Sequence, residues 1–142
     1  MRQIIHRHIG VRAEGMILAA SLWALIGVGI WLGYSPDPPG AWHALIPPLA
    51  RVALWLIPAI VAALVAPSER WSPYGLGLLT VAPMIHLCSL LTAWLLDVIP
   101  GPPPGDPAGW YRAGFYLALV ALVVLLSHIP ANVRAPLTGR PR

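Results

Sequence analysis

Four long apolar stretches, residues 16–34, 49–66, 74–99 and 113–129, occupy most of this chain and leave it few architectures. About 20 predominantly apolar residues, at a helical rise of 1.5 Å each, cross the roughly 30 Å hydrocarbon core of a bilayer. The first and third stretches reach that length outright. The second and fourth lie at its lower edge and lean on flanking Trp, Tyr and Arg. With 58% hydrophobic and 10% charged residues, the chain has too little polar surface to cover a soluble globule. The expected fold is all-α: a polytopic membrane protein of four transmembrane helices, paired as two hairpins with Pro-rich outer loops. The polar remainder is split among two termini and three short connections, none long enough for a water-soluble domain, so residues 1–142 form a single membrane unit.

The first stretch follows Arg2, Arg7 and Arg12 and so resembles a secretion signal. It is longer than a signal core, and its exit, Trp31-Leu32-Gly33-Tyr34-Ser35-Pro36, lacks a small-residue cleavage site, so it is read as a retained first helix. All nine basic residues are arginine. They stand at the ends of the apolar stretches rather than on one face, which is not the footprint of a nucleic-acid binder. Four spans put both termini on one side together with Arg2, Arg7, Arg12, Arg70, Arg134, Arg140 and Arg142, leaving Arg51 and Arg112 on the other. By the positive-inside rule both termini are expected in the cytoplasm, with the chain a multi-pass component of the cytoplasmic (inner) membrane. Arg51 and Arg112 each open a returning helix, where a long side chain snorkels to the headgroups.

Aromatic residues mark the same boundaries. Trp31, Tyr34 and Trp42 flank the first outer loop, Trp94, Trp110, Tyr111 and Tyr116 the second, and Trp71 and Tyr74 the inner loop; amphipathic rings at such positions act as headgroup anchors. Trp23 and Trp55 are deeper and read as packing residues. The outer loops, residues 35–40 and 100–107, are rich in proline, which fixes φ and lacks an N–H, so they should be stiff and extended. Both run from Pro, Gly and Asp into Trp at a new helix start, a faint parallel repeat of two hairpins that shared loop chemistry explains equally well. Pro47-Pro48 precede the second helix, in a short interfacial segment beginning near Trp42. Pro58 and Pro83 lie inside spans, where each should kink its helix and free a carbonyl for a neighbour or water.

Polar chemistry concentrates on the third span. Thr80, His86, Ser89 and Thr92 lie within it, and Asp97 marks its outer end. At 100° per residue, His86, Ser89 and Thr92 fall within an arc of about 120° and form a candidate polar membrane face. Such groups serve as a proton relay, a pore lining or interhelical hydrogen bonds, and the last is the expected role. No second intramembrane carboxylate or histidine is expected at the depth of His86, since His128 falls near the inner end of span four. Cys88, the single cysteine, is expected to be a buried, inert thiol. His6-Arg7-His8 reads as a basic tail touching anionic lipid. No metalloprotease, nucleophile-elbow or phosphate-loop motif occurs, and the five acids are scattered; no catalytic, cofactor or metal residue is assigned, and the chain is not expected to be an enzyme.

Small residues recur four apart, as Ala20/Ala24, Gly29/Gly33, Ala59/Ala63 and Gly114/Ala118. Such positions let helix backbones approach closely within a chain or between chains, so Ala20, Ala24, Gly114 and Ala118 are candidate helix-packing positions. The expected partners are the lipid bilayer and either a second copy or another membrane protein.

The Lys-free, Trp- and Pro-rich composition, the Pro-Gly-Asp-Pro-type loop before Gly109-Trp110-Tyr111, and the tail from Ile129 to Arg140 together resemble the small multi-pass membrane proteins encoded by bacteriophages of actinobacteria. The resemblance covers the chain loosely and rests on no catalytic motif. It implies a non-catalytic accessory or structural membrane component or, for members that sit in lysis cassettes, holin-like permeabilisation by oligomerisation. A small channel or transporter using the polar face of the third helix is the remaining expectation.

Overall fold

The computed structural model describes residues 10–34, 38–99 and 105–130, and what it describes is helical. The His6-Arg7-His8 tail, the arginines at positions 134, 140 and 142, and most of the prolines in the two Pro-rich connections lie outside the described residues. Four long helices, α1 (Val11–Trp31), α2 (Pro48–Val65), α3 (Ser72–Val98) and α4 (Gly109–His128), follow the four apolar stretches, and a 3₁₀ turn, Trp42–Leu45, precedes α2. All four are long and apolar enough to cross a membrane.

Local chemistry explains where the helix ends differ from the apolar limits. α1 begins five residues before position 16, because Arg12 and Glu14 are polar but compatible with helix, and it ends at Trp31 rather than Tyr34. There Gly33 takes φ +76°, the Gly33 N–H donates to the Ile30 carbonyl, and the Tyr34 N–H reaches back to that of Gly29. This is the glycine-closed helix end that a residue with a Cβ adopts poorly. α2 starts with Pro48 in its first turn, where a missing N–H costs nothing. α4 starts at Gly109, four residues before position 113, because Asp106 organises the turn ahead of it: Oδ1 accepts the Ala108 N–H at 3.1 Å and Oδ2 the Arg112 guanidinium at 3.0 Å.

α1 packs most extensively on α2 and α3 on α4, with α2 against α3 joining the pairs. Met16, Trp23, Trp55 and Leu79 are fully buried, surrounded by Ala19, Ala20, Ala59, Ala62 and Ala82, whose small side chains let the backbones close around the two indoles. The indole rings are 5.9 Å apart between centroids. Trp23 and Trp55 are therefore packing residues, as their depth in the sequence indicated.

Pro83 lies inside α3 and is fully buried. Its nitrogen carries no hydrogen, so the i−4 carbonyl, that of Leu79, loses its helical donor. The indole N–H of Trp23 donates to that carbonyl at 2.8 Å. The bond joins α1 to α3 across 56 residues and satisfies in one step a donor and an acceptor that are both fully buried.

Replacing Trp23 by Phe keeps most of the ring and deletes the donor, leaving the Leu79 carbonyl unsatisfied. Thermal unfolding in detergent should show a loss of about 1 kcal/mol beyond the packing change. In a Pro83→Ala background, residue 83 regains its N–H and can serve the Leu79 carbonyl itself. Trp23→Phe should then cost measurably less; equal cost in both backgrounds would show that the proline and the indole are not coupled.

Candidate functional site

The chemistry of the fold collects where α2 and α4 begin. His86 is the fifteenth of the 27 residues of α3, but its ring is level with Trp55 and Tyr116, each seven residues after the start of its own helix. At 1.5 Å per residue that is about 10 Å below that end of the bundle. α3 is long because it runs past its neighbours: Gly109 lies against Leu90 and Trp94, so close that a Cβ there would meet the Leu90 carbonyl oxygen at 2.7 Å. Being central in its helix does not place His86 centrally in the bundle.

A second histidine reaches it. The 3₁₀ turn turns His43 inward, 5% exposed, onto α3. The His43 backbone N–H donates to Ser89 Oγ at 3.0 Å. Its Nδ1 shares a second hydrogen bond with the same oxygen at 2.9 Å, with a direction set by the imidazole tautomer. The two imidazoles are 4.6 Å apart between centroids. His86 also stacks on Tyr116 at 5.1 Å and meets Trp55 at 5.2 Å. The His86 Nδ1 lies 2.9 Å from the Ala82 carbonyl; a carbonyl only accepts, so Nδ1 is the donor in this bond.

The expectation that no other histidine lies near the depth of His86 is therefore overturned by His43, which comes from a connection and not from a span. Of the three residues placed on one polar face, His86 and Ser89 point into the bundle together. Thr92 does not join them: it is on the outer surface and donates to the carbonyl of Cys88 one turn back. An arc of 120° exceeds the strip that α3 buries at that level, where the inward positions are Leu90 and Ala93. Tyr116, expected among the headgroup anchors, is half-buried against His86. Cys88, expected to be buried, is exposed on the outside of α3. Asp106 is 5% exposed, and its oxygens close the start of α4. Ala20 is in the core and Ala24 packs against it. Gly114 and Ala118 lie on an exposed face of α4, with open space around Gly114.

A serine hydrogen-bonded to histidine is the starting point of nucleophilic catalysis. Here Ser89 is fully buried and its oxygen is already occupied by the His43 N–H, so the pair acts as a tether between the first connection and α3. Among the described residues no group of three or more His, Cys, Asp or Glu is placed to hold a metal ion. A cleft of about 810 Å³ opens beside the tether, bordered by Tyr34, Pro38, His43, Leu90 and, on the first two turns of α4, Trp110, Tyr111, Arg112, Gly114, Phe115 and Tyr116.

No protein-family model, curated protein or solved structure matches this chain. Its functional reading rests on its own residues and geometry.

Ser89→Ala removes the two hydrogen bonds that His43 makes with Ser89. Hydrogen exchange at the amides of residues 43–46 should accelerate about tenfold or more, corresponding to roughly 1–3 kcal/mol of lost tethering, while exchange in α1 stays unchanged. His86→Leu should weaken the bundle by about 1–2 kcal/mol, and His86→Asn by less because an amide can still donate to the Ala82 carbonyl; indistinguishable unfolding of the two variants would rule out a hydrogen-bonding role for His86.

Proposed function

We propose that this chain is a four-span integral membrane protein, with both termini in the cytoplasm, that works without catalysis by associating through its helices with a second membrane component. The observation that carries this reading is how the polar groups are disposed. Inside, His43, His86, Ser89 and Trp23 are committed to hydrogen bonds within the bundle. Outside, Ser21, Thr92, Ser127 and His128 all turn their donors back onto carbonyls of their own helices. That is how hydroxyls and imidazoles behave where water is scarce. Between them the exterior presents large apolar side chains such as Leu18, Leu64 and Leu125, each about 70% exposed. A surface of this kind is stable in lipid, and the Gly114/Ala118 face of α4 offers a smooth strip on which another helix can lie.

Phage encoding, in keeping with the resemblance of the sequence, makes holin-like permeabilisation the sharper form of this proposal. A second reading, proton handling at the bundle interior, is favoured by one observation, the 4.6 Å approach of His43 and His86. Proton flux into liposomes containing the purified chain, lost in His86→Asn, would select it; flux no greater than in protein-free liposomes is the expected result.

For topology, cysteine at Pro39 or Pro107, both exposed, should react with an impermeant thiol reagent on intact cells in a Cys88→Ser background. Cysteine at Glu69 should react only after permeabilisation. Asp106 is unsuitable for this test because it is buried and paired. For association, Ala118→Leu should reduce in-membrane cross-linking without reducing insertion, whereas Ala20→Leu should disturb folding itself because Ala20 is in the core. Induced expression beside a cell-wall hydrolase decides the holin form: abrupt lysis supports it, and absence of lysis even after the membrane potential is collapsed leaves the accessory role.

A further inference from the structure

The cleft beside the His43 tether has walls of two kinds. Leu90, Phe115 and the ring faces of Trp110 and Tyr116 are apolar, and Gly114 forms an open floor where a Cβ would touch nothing within 4 Å. The ionisable groups on its wall, the tyrosines aside, are His43 and Arg112, and no carboxylate is among its described lining residues. Asp106 pairs with Arg112, but its carboxylate is 6% exposed and both its oxygens are used, one on the Ala108 N–H and one on a single guanidinium nitrogen. Arg112 remains 47% exposed, with further N–H donors of its five beyond the one given to Asp106. The cleft thus offers hydrogen-bond donors and a cation at its rim, above an apolar trough that continues onto the exposed face of α4. Its volume falls in the range of small-molecule sites.

The geometry points to a binding site for an anionic phospholipid, its phosphodiester on the free edge of the Arg112 guanidinium and one acyl chain along Gly114 and Phe115. A planar, multiply donating guanidinium suits a phosphate better than a carbonyl or a hydroxyl does. A soluble anion would gain nothing from the aromatic walls, whereas an acyl chain continues from them along α4. Trp110 and Tyr111, 60% and 72% exposed at the rim, are the residue types that settle at headgroup depth. The site rests on the membrane-spanning reading, since only there does a lipid headgroup reach this end of the bundle.

The test is native mass spectrometry of the full chain, extracted from membranes in detergent and titrated with dioleoyl-phosphatidylglycerol or dioleoyl-phosphatidylcholine. Both lipids carry the phosphodiester, but the choline cation of phosphatidylcholine would face Arg112, so wild type should retain phosphatidylglycerol at least about tenfold more tightly. Gly114→Leu adds a side chain to the trough at a position where a Cβ meets nothing within 4 Å, and should weaken retention of both lipids. Arg112→Gln should abolish the preference, and because that change also breaks the Asp106 pair, Gly114→Leu tests the site independently. Leu64→Ala, exposed on α2 and outside the cleft, should leave binding unchanged. Equal retention of the two lipids, or undiminished retention in Gly114→Leu, overturns the site and leaves the spanning reading intact. Release of the chain from membranes by alkaline carbonate overturns both.

Discussion

Away from water, a backbone carbonyl without a donor is costly, and one such carbonyl sets how α1 and α3 meet. Pro83 opens a gap in the hydrogen-bond ladder of α3, and the Trp23 indole closes it from α1. The bond fixes the rotation of α1 relative to α3, two helices that otherwise touch little. It also anchors the ring against which Trp55 packs, and Trp55 in turn borders His86 and Tyr116. The aromatic column from the first helix to the fourth therefore starts from one donor and one proline.

The four helices were legible in the sequence because length and hydrophobicity are summed over many residues, and no single side chain decides them. Their ends were less so. The apolar runs ended at Tyr34 and began at residue 113, but Gly33 and Asp106 set the true limits through a positive φ and a side-chain hydrogen bond. The interior role of Trp23 and Trp55 followed from depth, and the freed carbonyl from the chemistry of proline; which donor would serve it did not, since that depends on the rotation of α1.

The site was half visible. His86 and Ser89 stood out as polar residues within an apolar run, and their shared direction followed from helical periodicity. His43 had no such signal: it lies in a short connection where histidine is unremarked, and periodicity says nothing about a segment that is not a helix or strand. Its one clue was local, a lone imidazole within Ala41-Trp42-His43-Ala44-Leu45, a run too apolar to stay in water ahead of two prolines. Thr92 shows the opposite failure. Angular position on a helical wheel is necessary for a shared face but does not say how wide a strip the neighbours cover.

The overhang of α3 has a mechanical meaning. At 1.5 Å per residue, its 27 residues span about 40 Å, and the 18 of α2 about 27 Å. In a bilayer no single hydrocarbon thickness suits both. A thin membrane leaves the last turns of α3, with Trp94 and Asp97, standing in the headgroups; a thick one draws the short α2 and its proline-led start below the surface. Mismatch of this kind costs fractions of a kcal/mol per Å and is relieved by tilt. Because α2 and α3 are packed together, relief for one is strain for the other.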